Sequence, residues 1–203
     1  MRAVVTGGIA CGKSLFAEHL RRNGVDTLDA DDIVRSLESP GGAAVEEIAA
    51  AFGRRMLLPD GSVDRAALAA EVFGPGREES RRRLEGIIHP KTRKSLLEWL
   101  DARPRPGPRA AVVPLLFETG WDRDFDFIVC VSADRRTQLR RMVELRGMRP
   151  EDAEARLAAQ MPCEEKEKRS SAVVRNCGSA GELARKAREI AQAIARAMEE
   201  ERT

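Results

Sequence analysis

The stretch from Gly7 to Ser14, GGIACGKS, follows directly on the apolar pair Val4 and Val5 and leads into a run, Ser14 to Leu20, of helical composition. Gly7, four residues, then Gly12, Lys13 and Ser14 match the G-x-x-x-x-G-K-[ST] pattern without a gap. A strand that enters a helix through such a loop leaves successive backbone N–H groups directed at one spot, beside the positive end of the helix dipole. That spot suits a phosphate. The glycines let the backbone approach, Lys13 reaches the β- and γ-oxygens of a nucleoside triphosphate, and the Ser14 hydroxyl holds Mg²⁺.

Apolar runs alternate with helical patterns along the rest of the chain, as in an α/β sheet covered by helices on both faces. The runs predict strands at Arg2 to Thr6, Val25 to Leu28, Arg109 to Val113, Phe125 to Val131 and Ala172 to Arg175. Pro114 has no N–H for a ladder, so the third strand ends before it. The interval from Asp32 to Pro108 is too long for a crossover and reads as a helical insertion. Within it GGAAVEEIAAAFG predicts a helix, DGSV a turn, Asp64 the N-cap of RAALAAEVF, and Pro90 the first turn of a helix reaching Trp99. ARPRPGPR then returns the chain to the sheet.

A length of 203 residues fits one domain, or a core with an inserted subdomain. A formal net charge of +2 with 4% aromatic residues gives no support to a nucleic-acid binder. Cys11, Cys130, Cys163 and Cys177 lack C-x-x-C spacing and nearby histidines, so neither a zinc site nor a disulfide framework is expected. Cys11, inside the loop, is either a thiol of lowered pKa at a helix start or, as favoured here, a small residue facing away. The amino terminus opens straight into a strand and no apolar run has the length of a membrane span, so a cytoplasmic protein with no membrane partner is expected. No obligate protein partner is evident.

Two further segments carry chemistry. DADDIV follows the second strand, and in an extended segment Asp29 and Asp31 project to the same side, at the sheet edge where ligands of open α/β sheets bind. There they can accept a hydroxyl proton or coordinate Mg²⁺ through water, while Asp32 is read as the N-cap of the next helix. The segment after the fourth strand carries six basic residues by Arg149, with GMRP breaking it into two helices, the pattern of a movable lid. Arginines there can neutralise charge on transferring phosphoryl oxygens, though spacing alone singles out none of them.

In combination the chain resembles the dephospho-coenzyme A kinases, which phosphorylate the ribose 3′-hydroxyl of dephospho-CoA. The resemblance covers nearly the whole sequence. It rests on TGGIACGKS, DADDIVR, GSVDRAALAAEVF, LEGIIHPKTR, VPLLFETG, TQLRRMVELRG, QMPCEEK and VVRNCGS. It implies a P-loop NTPase-type three-layer α/β fold with a mostly parallel five-stranded sheet. The core takes 1–31, 109–133 and 162–203, a helical CoA-binding insertion 32–108, and a helical lid 134–161. ATP and dephospho-CoA are the implied substrates, with Mg²⁺ accompanying ATP.

Carried over by position, the resemblance makes Asp31 the base at the 3′-hydroxyl, with Asp29 beside it on the substrate side. Lys13 and Ser14 become the phosphate and Mg²⁺ contacts of an ATP site formed by Gly7, Gly8, Ala10, Cys11, Gly12 and Leu15. Arg141 becomes the leading lid arginine and Arg146 the second, with Asn176 and Gly178 in the adenine-side loop. His89 with Pro90, and Leu115 and Leu116 through Glu118, would fall along the CoA cleft. From residue type alone, His89 reads as an N-cap and the two leucines as core. The sequence departs from the family at Ala10, Cys11 and Leu15, and at Ser170 and Ser171, where an Ala-Asp pair is usual. Another small-molecule or nucleoside monophosphate kinase would share the loop and lid but not the insertion blocks. A GTP-dependent switch would need an N-K-x-D, which is absent.

Overall fold

A computed structural model describes residues 1–102 and 107–200. In chain order the elements begin with β1 (Ala3–Thr6), α1 (Lys13–Arg22), β2 (Asp26–Asp29), α2 (Ala30–Glu38), α3 (Val45–Phe52), α4 (Arg65–Val72) and α5 (Glu78–Asp101). They continue with β3 (Arg109–Val112), β4 (Phe127–Ser132), α6 (Arg135–Arg140), a π-helical turn (Arg141–Leu145), α7 (Pro150–Ala158), α8 (Cys163–Lys168), β5 (Ala172–Arg175) and α9 (Ala180–Glu200). Contacts divide the chain into one unit of Met1–Leu28 with Ala102–Thr203 and a second of Asp29–Asp101.

The first unit is built on a five-stranded sheet in the order β2-β3-β1-β4-β5. β1 pairs in parallel with β3, Val4 opposite Ala111, and with β4, Val4 opposite Ile128; β4 pairs in parallel with β5. The strand alternation puts Ala3 and Val5 on the face covered by α1 and α9, where Phe16, Leu20, Leu183, Ala187, Ala191 and Ile194 close the core. These α9 positions recur three and four apart, one stripe of a helix. A smaller apolar cluster gathers Met142 and Ala153 with Ala10, Ile9 and Leu139. The chain leaves β1 for β2 on one side of it and later crosses from β3 to β4 on the other, so the loop after β1 lies where the strand order reverses, the place where open α/β sheets bind ligands.

The boundaries correct several expectations. Val25 is fully buried and turns the chain out of α1, its N–H donating to the Leu20 carbonyl, so β2 starts one residue later and runs to Asp29. Phe125 and Asp126 precede β4, held in a turn where Asp126 N–H donates to the Arg2 carbonyl and Arg2 N–H to the Asp126 carboxylate. β1 begins at Ala3 and β3 ends at Val112. Of the return expected over 102–109, residues 103–106 lie outside the described residues.

In the second unit α2, α3 and α4 all pack on α5, which buries Ile88, Thr92, Leu96 and Leu100 along one side. Asp64 caps α4, accepting from the N–H groups of Ala66 and Ala67 at 3.0 Å each. The DGSV turn closes with Ser62 donating to Asp60, beside a bridge between Leu57 and Val63. Buried Glu38 accepts from Arg65 at 2.8 Å. Pro90 does not open a helix, and His89 is not a cap: both lie inside the 24-residue α5. Pro90 offers no N–H to the carbonyl four residues back, which belongs to exposed Gly86, so that carbonyl can tilt toward water.

Ile194 is fully buried between α9 and the sheet. Ile194→Ala should cost about 2–5 kcal/mol of stability, read as a lowered urea midpoint.

Candidate active site

The loop between β1 and α1 needs unusual backbone. Gly7 has φ +148° and a Cβ there would stand 1.9 Å from the Val131 carbonyl oxygen, so any side chain would separate β1 from β4. Gly12, at φ +91°, turns the chain into α1 beside Asn176. Ala10 is the one described non-glycine at positive φ, 58°. The usual family glycine at this position is thereby explained, and Ala10 carries a strain of roughly 1–2 kcal/mol.

Side chains from elsewhere hold the loop. Gln138, on α6, donates to the Ile9 carbonyl at 2.7 Å, and Gln160 accepts from the Ile9 N–H at 3.0 Å. Asn176, after β5, donates to the Cys11 carbonyl at 2.9 Å. Arg141 donates to the carbonyls of Ala10 at 3.2 Å and Asn176 at 2.9 Å, joining the π-helical turn to the loop and to the segment after β5. Lys13 arches back, its Nζ donating to the carbonyls of Gly7 at 3.0 Å and Gly8 at 2.8 Å. Ser14 is exposed on the first turn of α1. The sequence reading assigned no role to Gln138 or Gln160, although both lie in or beside quoted motif blocks.

A cleft of about 320 Å³ opens beside this loop, lined by Gly12, Leu15, Arg141, Arg146, Asn176 and Gly178, among others. Apolar Leu15 and Leu145 share its lining with the two arginines, a mixture suited to a base with its phosphates. Gly178 sits against Glu182, whose carboxylate accepts from Ser179 N–H while Ser179 Oγ accepts from Glu182 N–H; this reciprocal box starts α9. Thus six residues assigned to ATP from the sequence share one cavity.

The segment after β3 is fastened to α8. Lys166 is fully buried, its Nζ 2.7 Å from the Glu118 carboxylate and donating to the Pro114 carbonyl at 3.2 Å. Glu118 also accepts from Met161 N–H, and Arg169 lies over the Phe117 ring and pairs with Asp122. Leu116 is fully buried and Leu115 is 41% exposed, so of this pair only Leu115 faces solvent. Glu118 has a structural partner in Lys166. Arg175 beside Glu167 holds that carboxyl below the usual range. Ser171 Oγ accepts from Ile128 N–H at 3.1 Å, supplying an acceptor where the family's aspartate is missing.

At the start of the second unit Asp29, not Asp32, is the N-cap of α2: its carboxylate accepts from Asp31 N–H at 2.9 Å. Asp31 is therefore in the first helical turn, and the argument from an extended i, i+2 pair fails there. Asp31 and Asp32 are both exposed, and Asp32 pairs with Arg35. Their negative charges suit the positive end of α2. Cys11, fully buried, has its thiol pKa raised by the contact with Cys163 and by burial, which overturns a lowered value.

Glu118→Ala leaves the fully buried Lys166 ammonium with the Pro114 carbonyl but no counter-charge, so it should destabilise the protein by about 3–5 kcal/mol, measured by chemical denaturation.

A family model described as dephospho-CoA kinase matches residues 2–182. The dephospho-CoA kinase of Symbiobacterium thermophilum is 44% identical over 178 residues, 86% of this chain and 73% of that protein. That of Geobacillus kaustophilus is 42% identical over 183 residues, 89% of this chain and 90% of that one. A crystal structure from Thermus thermophilus superposes with a TM-score of 0.77 at 33% identity, covering 96% of this chain and 99% of that one. With a family model matched over residues 2–182 and relatives above 40% identity over most of both chains, this chain belongs to the dephospho-CoA kinase family.

Proposed function

We propose that this chain transfers the γ-phosphoryl group of ATP to the ribose 3′-hydroxyl of dephospho-CoA, giving coenzyme A and ADP. The observation that carries the reading is the phosphate loop, shaped by Gly7 and Gly12 and braced by Arg141 and Asn176 beside a cleft of nucleotide size. The family identifies the acceptor; the loop supplies the chemistry. We assign the CoA side to the insertion expected over 32–108, which overlaps the compact unit Asp29–Asp101, and the lid to 134–161.

Backbone N–H groups of the loop receive the phosphates at the start of α1, and Lys13 exchanges its bonds to the Gly7 and Gly8 carbonyls for the β- and γ-oxygens. Arg141 and Arg146, which line the same cleft, place positive charge where the equatorial oxygens gain it. Asn176 and Gly178 border the adenine. Asp31 accepts the proton of the 3′-hydroxyl, and Asp29, which caps the helix carrying Asp31, orients it. His89, Leu115 and Glu118 serve the CoA side.

Mg²⁺ belongs to the ATP substrate. Among the described residues no cluster of three His, Cys, Asp or Glu forms a cage, which fits an ion brought by phosphates and met by the Ser14 hydroxyl. Held by the Ser14 hydroxyl, such an ion would neutralise phosphate charge. Among the same residues no helix is long and apolar enough to cross a membrane. Cytoplasmic catalysis on small-molecule substrates, without nucleic acid, membrane or obligate protein partner, completes the reading.

Given Mg·ATP and dephospho-CoA, the purified protein should yield equal amounts of coenzyme A and ADP, with a new ribose 3′-phosphomonoester in the ³¹P spectrum. Robust turnover of a nucleoside monophosphate or sugar instead, with none of dephospho-CoA, would move the chain to another substrate.

Lys13→Ala should lower kcat/KM on the order of 10³-fold or more with an unchanged circular dichroism spectrum. Asp31→Asn should lower kcat about 10²- to 10⁴-fold with ATP affinity little changed, since a loose transition state needs only modest help from a base. Single-turnover assays of Asp31→Asn and Asp29→Asn decide between the two carboxylates: a normal Asp31 variant beside a dead Asp29 variant would exchange their roles.

A further inference from the structure

Two cysteines far apart in sequence meet beneath the phosphate loop. The sulfurs of Cys11 and Cys163 lie 3.5 Å apart, in hydrogen-bond contact. Gly8 passes directly over them: a Cβ on Gly8 would stand 2.6 Å from the Cys163 sulfur and 3.2 Å from that of Cys11. The Cys163 thiol also reaches Gln138 Oε1 at 3.7 Å, the same glutamine that holds the Ile9 carbonyl. No part of the phosphoryl transfer uses either sulfur.

The two differ in access and in acidity. Cys11 is fully buried, whereas Cys163 lines two clefts. One, of about 280 Å³, is shared with Gly8, Gln138 and Gln160; the other, of about 250 Å³, with Asp134, Glu167 and Cys177. Cys163 is itself buried at 7% exposure, and either cleft has room for a molecule the size of hydrogen peroxide. The contact with Cys11, with backbone N–H groups of Ala133 and Gly8, pushes the Cys163 thiol down, against burial and the charge of Glu164. Cys11 moves the other way. Burial pushes Cys130 up to about 12, leaving it a thiol. Two sulfurs in contact at 3.5 Å, one of them on a residue that lines clefts, are placed to close to a disulfide once the outer one is oxidised.

We infer that Cys11 and Cys163 form a reversible oxidation site, which takes a peroxide as oxidant and closes to a disulfide between the phosphate loop and α8. The Cys163 thiolate attacks one peroxide oxygen. The O–O bond breaks, and the departing hydroxide takes up the proton released from Cys163 to leave water and a sulfenic acid. Cys11 then attacks the sulfenic sulfur, the S–O bond breaks, and the hydroxyl leaves with the Cys11 proton as a second water. Two thiols are oxidised and one peroxide is reduced. The sulfurs close from 3.5 Å to about 2.05 Å, which draws the loop toward α8. A dithiol reverses the bond by exchange.

The test uses the full chain, reduced and freed of reductant, then treated with a few equivalents of hydrogen peroxide, alkylated and mapped without reduction. The expected product is one peptide pair linking Cys11 to Cys163, with reactive thiols falling from the four of the reduced chain to about two. Dithiothreitol should restore all four. Cys163→Ser should leave Cys11 reduced. Cys11→Ser should arrest Cys163 as a sulfenic acid that dimedone traps, a readout independent of kinase activity and of whether the Cys163 variant folds. Oxidation confined to exposed Cys177, or direct passage of Cys163 to sulfinic acid in the unaltered chain, would overturn the proposal.

Discussion

The chain must leave β1, whose residues are all buried, and enter α1 through a turn that ordinary backbone angles do not allow. Gly7, Ala10 and Gly12 all sit at positive φ, and Gly7 runs against the Val131 carbonyl. Such a turn does not hold itself. Gln138, Arg141, Gln160 and Asn176 each bond its peptide groups, and Lys13 bonds two carbonyls of its own loop. At roughly 0.5–1.5 kcal/mol net per hydrogen bond, these contacts together outweigh the strain of one left-handed alanine. The placement of α6, α7 and the segment after β5 is thus bound up with the loop, and the small cluster of Met142, Ala153, Ile9 and Ala10 adds apolar contact to the same joint.

A second fixed point is the buried ammonium of Lys166. An unpaired charge in that position would be untenable, so its bonds to Glu118 and Pro114 set where α8 lies relative to the segment after β3. With Arg169 on Phe117 and Asp122, α8 ties the PLLFE block to the QMPCEEK block. Two stretches quoted for the family resemblance thus meet at one contact surface. Pairing of this kind adds orientation rather than much net stability, because removing two charges from water offsets most of the attraction.

Local patterns were legible where the physics is local. The phosphate loop, the Asp64 cap, the DGSV turn and all five strands could be read from spacing within a few residues. Errors arose where one local rule competed with another. Asp29, Asp31 and Asp32 are all competent caps, and only the end of β2 decides that Asp29 takes the role. Pro90 looks like a helix start until the packing of α5 against α2, α3 and α4 carries the helix through it. The supports of the loop were invisible for a different reason. Gln138 and Ile9 are 129 positions apart, Gln160 and Ile9 151, and Cys11 and Cys163 152, and no periodicity marks any of these pairs.

The departures at Ala10 and Cys11 have a physical reading that the family pattern lacks. In a phosphate loop the ligand is met mainly by backbone N–H groups, so the side chains between the glycines are free to serve the interior. Ala10 packs with Met142 and Ala153, and Cys11 is buried in the main core against Cys163. Residue choice at these positions is therefore set by what lies beneath the loop, not by the nucleotide above it. Cys11, a departure from the family pattern, meets Cys163 in this interior contact. It leaves the phosphate-facing backbone intact while giving the floor of the loop a chemistry that other residue pairs of similar size would not have.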